Sequence, residues 1–80
     1  MLQMRPNCQC CDADLPPESA QAWICSLECT YCADCAQARL GGVCPGCGGE
    51  LRPRPRRLPA TAAKYPPSTT RLFTPERCAR

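Results

Sequence analysis

Eighty residues allow one small domain, and ten cysteines among them mark a scaffold stapled by metal or by disulfides. There is no histidine, so any zinc site must be all-cysteine, and histidine general-base chemistry is excluded. The formal net charge of +3 hides a division: residues 1–51 carry two arginines against six carboxylates, a net −4, while residues 52–80 carry eight basic residues against Glu76, a net +7.

The chain opens Met1-Leu2-Gln3-Met4-Arg5-Pro6-Asn7. It shows no apolar run of signal-peptide length, and no stretch is apolar enough to span a membrane. The expected compartment is the cytoplasm, where thiols stay reduced and clustered cysteines point to metal. Clear core candidates are few: Leu15, Trp23, Ile24, Leu27, Tyr31, Leu40, Val43 and Leu51. Domains this short usually need metals or crosslinks to fold.

The first cysteine pair, Cys8 and Cys11, has two residues between its members. Such a tight turn aims both sulfurs at one point, and a zinc–sulfur distance near 2.3 Å can be met from both. The same spacing makes a strained, reducible disulfide. Cys10 lies inside the pair and is ambiguous: it is a spare buried thiol, or it displaces Cys8 or Cys11 as a ligand. Asp12 and Asp14 read as solvated loop carboxylates.

Ala22 to Cys25 is a strand candidate, and Cys29 to Tyr31 is its partner across a turn. Trp23 reads as core filling, with an exposed interaction residue as the alternative. Cys25 and Cys29 have three residues between them; Cys32 and Cys35 follow with two. Ala33 to Leu40 suits a helix, with Asp34 in its positive first turn and Gly41-Gly42 to end it. Cys44-Pro45-Gly46-Cys47 closes the series. Eight thiolates make two four-cysteine sites, which is the zinc reading with two ions. A disulfide scaffold and an iron–sulfur or redox role are the competing ones. Spacing alone permits sequential pairing of the four pairs or an interleaved one.

From Arg52 the composition changes to Arg52-Pro53-Arg54-Pro55-Arg56-Arg57, followed by Pro59, Pro66, Pro67 and Pro75. Proline at this density opposes regular ladders and favours extended, solvated chain. The expected division is a zinc-binding domain over residues 1–51 and a mostly disordered tail over residues 52–80, with Cys78 a free thiol. The arginines read as a solubilising tail, with a phosphate-binding or acidic-partner arm as the sharper alternative.

Ile24 before Cys25, Tyr31 before Cys32, and Cys44-Pro45-Gly46-Cys47 at the end give an order that resembles a RING-type cross-brace over residues 8–47. The departure is Cys29, where most RING domains have histidine. The resemblance implies interleaved sites, Cys8, Cys11, Cys32 and Cys35 in one and Cys25, Cys29, Cys44 and Cys47 in the other. It also implies a small metal-stabilised α+β fold of the RING or treble-clef kind, with short hairpins and one short helix. The stretches Met4 to Cys11, Ile24 to Cys29, Tyr31 to Cys35 and Val43 to Glu50 are similar to a family of small bacterial cysteine-rich proteins of unknown function.

These readings favour a non-enzymatic zinc module that serves as an interaction adaptor for an unidentified protein partner. A closed four-thiolate site has no open position at which to activate water. The alternatives are weak nucleic-acid binding through the tail, ubiquitin-ligase-like activity, and a thiol redox or metal-trafficking role using Cys10 and Cys78. Ligase docking features are missing: no aromatic residue lies between Ala36 and Val43, and Gly48 follows the last ligand.

Overall fold

The computed structural model describes residues 3–78, apart from the side chain of Arg77. It is a small α+β fold built on a three-stranded antiparallel sheet in the order β2-β1-β3. Strand β1, Ala22–Ile24, is central. It pairs with β2, Thr30–Cys32, in the register Trp23 opposite Tyr31, and with β3, Arg52–Pro53, in the register Trp23 opposite Pro53. Pro53 has no N–H to give, and it is tolerated because β3 lies at the sheet edge.

The β1–β2 hairpin is the one expected. Its turn is closed by the Glu28 N–H donating to the Cys25 carbonyl at 3.0 Å, with Glu28 at a left-handed φ of 68°. The helical segment that follows is wider than an α-helix. Cys35–Arg39 is a π-helix, in which the Leu40 N–H donates to the Cys35 carbonyl at 2.9 Å. A wide turn stacks residues five apart, so Cys35 and Leu40, both buried, share one face. Gly41 and Gly42 follow at φ of 58° and 80° and end the segment as expected.

The core holds Leu15, Ala22, Tyr31, Ala36, Leu40 and Leu51 among buried cysteine sulfurs. Trp23 is half-buried and packs on this cluster. Three expected core residues are not in it: Leu27 is 66% exposed, Val43 41%, and Ile24 is half-buried outside the cluster. Leu27 sits in the hairpin turn with its N–H committed to Cys25 Sγ, and there the chain has no interior to face. Met4, not expected in the core, is buried.

The expected boundary after Leu51 falls inside the sheet, because Leu51 is buried and β3 begins at the next residue. Beyond it the structure has order where extended, solvated chain was expected. Arg54 is only 3% exposed. Its guanidinium donates to the carbonyls of Arg5, Leu15 and Pro16 at 2.9, 3.2 and 3.0 Å. A short helix α1, Pro59–Lys64, begins on a proline, where a missing N–H costs nothing. A 3-10 turn, Pro75–Cys78, ends the described chain.

Candidate metal centre

Each cysteine pair is shaped by the backbone around it. At the first pair, the Cys8 N–H donates to the Ala13 carbonyl at 2.8 Å and the Asp12 N–H to the Cys8 carbonyl at 2.9 Å. At the last pair, the Cys44 N–H donates to the Gly49 carbonyl and the Gly48 N–H to the Cys44 carbonyl, both at 2.9 Å. Bridges Asn7–Asp14 and Val43–Glu50 close the two loops in the same way. The residue after the second cysteine is left-handed in both, Asp12 at φ 62° and Gly48 at φ 76°. The chain thus builds one loop twice, from unrelated side chains around the same cysteine spacing.

These loops turn amides toward sulfur. Cys8 Sγ accepts from the Cys10 N–H at 3.4 Å, Cys25 Sγ from the Leu27 N–H at 3.3 Å, Cys32 Sγ from the Cys35 N–H at 3.5 Å, and Cys47 Sγ from the Gly49 N–H at 3.4 Å. Donors aimed at a thiolate favour its charged form. Burial opposes ionisation of Cys44, yet the amides of Cys47 and Gly46 and the Tyr31 hydroxyl outweigh it and hold the thiol at about 7. The Tyr31 hydroxyl lies 3.7 Å from that sulfur, and burial with the neighbouring thiols pushes its own value up. Burial beside Cys25 and Cys44 pushes the Cys29 thiol up to about 12.

The sulfurs of Cys8, Cys11, Cys32 and Cys35 all lie within 4.8 Å of one another. Cys11 Sγ and Cys32 Sγ are 3.7 Å apart. A tetrahedron with metal–sulfur bonds near 2.3 Å has edges of about 3.8 Å, so this set fits a metal of that kind. The sulfurs of Cys25, Cys44 and Cys47 form a second mutual group within 4.8 Å. Cys29 is the expected site residue that the structure leaves outside. It stands beside Cys25 and Cys44 but does not join the mutual set. Two cysteine groups therefore could hold metal, drawn from chain segments that alternate along the sequence.

Cys10 is neither a spare thiol nor a ligand, and Cys78 is not free. The two form a disulfide with a Cα–Cα distance of 5.8 Å across 68 residues of sequence. Cysteine arithmetic carries the signal for this: eight ligands from ten cysteines leave these two. Asp12 and Asp14 are exposed loop carboxylates outside both sulfur groups, as expected, and Arg71 pairs with both at 3.0 Å.

Fold and sulfur clusters together define a small cysteine-rich α+β protein with two groups able to take a metal ion. The chain belongs to the family described as "Protein of unknown function (DUF1272)", which matches residues 1–57. It is 58% identical over 79 residues to an uncharacterized protein of Rhizobium meliloti (strain 1021), covering 99% of this chain and 94% of that protein. No solved structure matches it. Among the described residues, no helix is long and apolar enough to cross a membrane.

Proposed function

We propose that the chain is a zinc-binding structural module with no catalytic role, whose task in the cytoplasm is to hold a surface for a protein partner. The observation that carries the zinc reading is the four-sulfur set with a 3.7 Å edge, which suits tetrahedral thiolate coordination. Cys8, Cys11, Cys32 and Cys35 would hold one ion. Cys25, Cys44 and Cys47 would hold the second, with Cys29 swinging in as its fourth ligand. Zinc so bound contributes folding energy and no open coordination position.

The basic segment weighs against nucleic acid as the partner. Arg54 is buried on three carbonyls, Arg71 is held by two carboxylates, Arg52 meets Glu50 at 2.6 Å, and Arg56 donates to the Glu18 carbonyl. Arg54 is thereby out of reach of phosphate, and at the exposed Arg52, Arg56 and Arg71 a phosphate would have to displace the partner already bound.

Metal analysis of the purified chain tests the reading. About two zinc ions per chain are expected, and a strong chelator should remove them and strip the fold of most of its stability, since structural zinc contributes on the order of 10–16 kcal/mol per site in small fingers. Iron in place of zinc, or no metal with every thiol bridged, would overturn it.

A further inference from the structure

Residues 68–78 form a strap laid along residues 4–14. The Ser68 N–H donates to the Met4 carbonyl at 3.1 Å and the Thr74 N–H to the Gln9 carbonyl at 2.9 Å. Asn7 Nδ2 donates to the Leu72 carbonyl at 2.9 Å, and the Arg71 guanidinium meets Asp12 and Asp14. Met4, Asn7, Cys8, Gln9 and Cys10 on the covered segment are all buried. The strap itself has little apolar anchorage, since Leu72 and Phe73 are exposed. Its ion pairs are solvated, and solvated pairs hold weakly. The covalent tie is Cys78 to Cys10, and Cys10 lies inside the Cys8–Cys11 loop.

We propose that the Cys10–Cys78 disulfide is a redox latch that decides whether the strap covers the first cysteine loop. The reaction partner is a cellular dithiol. It donates two electrons and two protons; the Cys10–Cys78 bond breaks to give two thiols, and the dithiol closes to its own disulfide. With the latch open, hydrogen bonds and exposed ion pairs alone must hold eleven residues against their chain entropy. The face then uncovered offers the Gln9 carbonyl, the Asn7 amide and the Asp12 and Asp14 carboxylates. That set suits an extended, arginine-bearing peptide, the chemistry of the strap that now occupies it. A disulfide in a chain whose other cysteines gather as thiols is the kind of bond a reducing compartment opens conditionally.

Amide hydrogen exchange on the full chain, as purified and after a phosphine reductant, tests the latch. The phosphine takes oxygen from water as it reduces the disulfide, and a mass gain of two hydrogens verifies the reaction. Exchange at the Ser68 and Thr74 amides is expected to rise by about tenfold or more, while the Leu51 amide remains much the slower to exchange and the metal content stays unchanged. Cys78→Ser should give the same pattern without reductant; it leaves Cys10 and the loop in place. Protection at Ser68 and Thr74 that survives verified reduction would sink the latch, as would peptide mapping that finds no Cys10–Cys78 bond in the oxidised chain. Loss of metal on reduction, or exchange at Leu51 as fast as at Ser68 and Thr74, would show that the whole fold opens and not the strap, which also overturns it. Metal content at the outset reads the zinc proposal separately.

Discussion

Gln9 and Thr30 bond each other twice. The Gln9 N–H donates to the Thr30 carbonyl at 3.0 Å, and Gln9 Oε1 accepts the Thr30 N–H at 2.9 Å. This clasp ties the segment that carries Cys8 and Cys11 to the strand that leads into Cys32 and Cys35. It is the non-metal interaction that brings distant halves of the first cluster into register. Gln9→Ala leaves the buried Thr30 N–H without its partner, at a cost of about 1–3 kcal/mol. The expected readout is a denaturant midpoint lowered accordingly, with easier metal loss to a chelator. An unchanged midpoint would mean the clasp does not set the register.

Arg54 poses a different problem, a buried cation held by carbonyls alone, with its Nε left without a partner among the described residues. Burial lowers its pKa from the ordinary arginine value, but a guanidinium keeps its charge. Three carbonyls from two places on the chain, Arg5 and Leu15-Pro16, converge on it, and a fork of fixed geometry is needed to reach them. Arg54→Lys should therefore be nearly as harmful as Arg54→Ala, each losing about 2–4 kcal/mol by removing charged hydrogen bonds to buried carbonyls. Thermal denaturation of the two variants side by side checks this. A lysine variant close to the parent would show that charge, and not the fork, is what the site requires.

The two left-handed loop positions should respond oppositely to substitution. A Cβ on Gly48 would meet nothing within 4 Å, so Gly48→Ala suffers from backbone strain alone, about 1–2 kcal/mol. Asp12→Gly relieves that strain but removes a carboxylate that holds Asn7 Nδ2 at 2.8 Å and Arg71 at 3.0 Å. The first variant should be clearly destabilised and the second near neutral. Equal losses would contradict the equivalence of the two loops.

The metal-free chain should show a stability maximum on pH near the ordinary thiol value of 9.0. Cys44 is depressed to about 7 in the fold, so its contribution is present above the unfolded value and is lost as pH falls through about 7. Cys29 is raised to about 12, so its contribution is present below the unfolded value and is lost as pH rises toward about 12. Cys35 and Tyr31, also raised by burial first of all, act in the same sense as Cys29. Guanidinium midpoints of the metal-stripped chain, taken from neutral into alkaline buffer, should climb and then fall. A steady decline from neutral pH upward would show that Cys44 is not stabilised as a thiolate.

The crosslink itself should be worth measuring in the intact protein. Closing a loop across 68 residues corresponds to about 4 kcal/mol in the chain-entropy account of disulfides. Cys78→Ser should lower the thermal midpoint of the metal-loaded chain by several degrees. A midpoint equal to the parent's would mean that the bond contributes nothing net to folding and that the chain-entropy account fails here.

The cysteine spacing made the sulfur clusters and the hairpin legible, because a ligand pair is a local feature and so is a tight turn. The register of Trp23 on Tyr31 follows from the same local pattern. What the sequence hid is non-local. Arg54 sits in a Pro/Arg run that composition assigns to solvent, and only the convergence of Arg5, Leu15 and Pro16 buries it. Leu27 and Val43 are apolar by type, yet Leu27 lies in the hairpin turn and Val43 at the bridge to Glu50, and both are exposed. Cys29 shares its segment with Cys25, but the hairpin geometry that seats Cys25 keeps Cys29 at the margin of its group. The π-helix after Cys35 gives no compositional sign, since alanine and glutamine suit any helix.

The bond between Cys10 and Cys78 also fixes how the molecule would carry a mechanical load. Tension applied from outside that ring runs through two side chains and one sulfur–sulfur bond. The 68-residue separation that the bond closes, with the sheet and every grouped cysteine except Cys8 inside it, then bears no pull. About 230 Å of contour length stays hidden while the ring is closed. Reduction releases that length and transfers the load to β1 and its neighbours. A stretched chain would therefore report its oxidation state as reach.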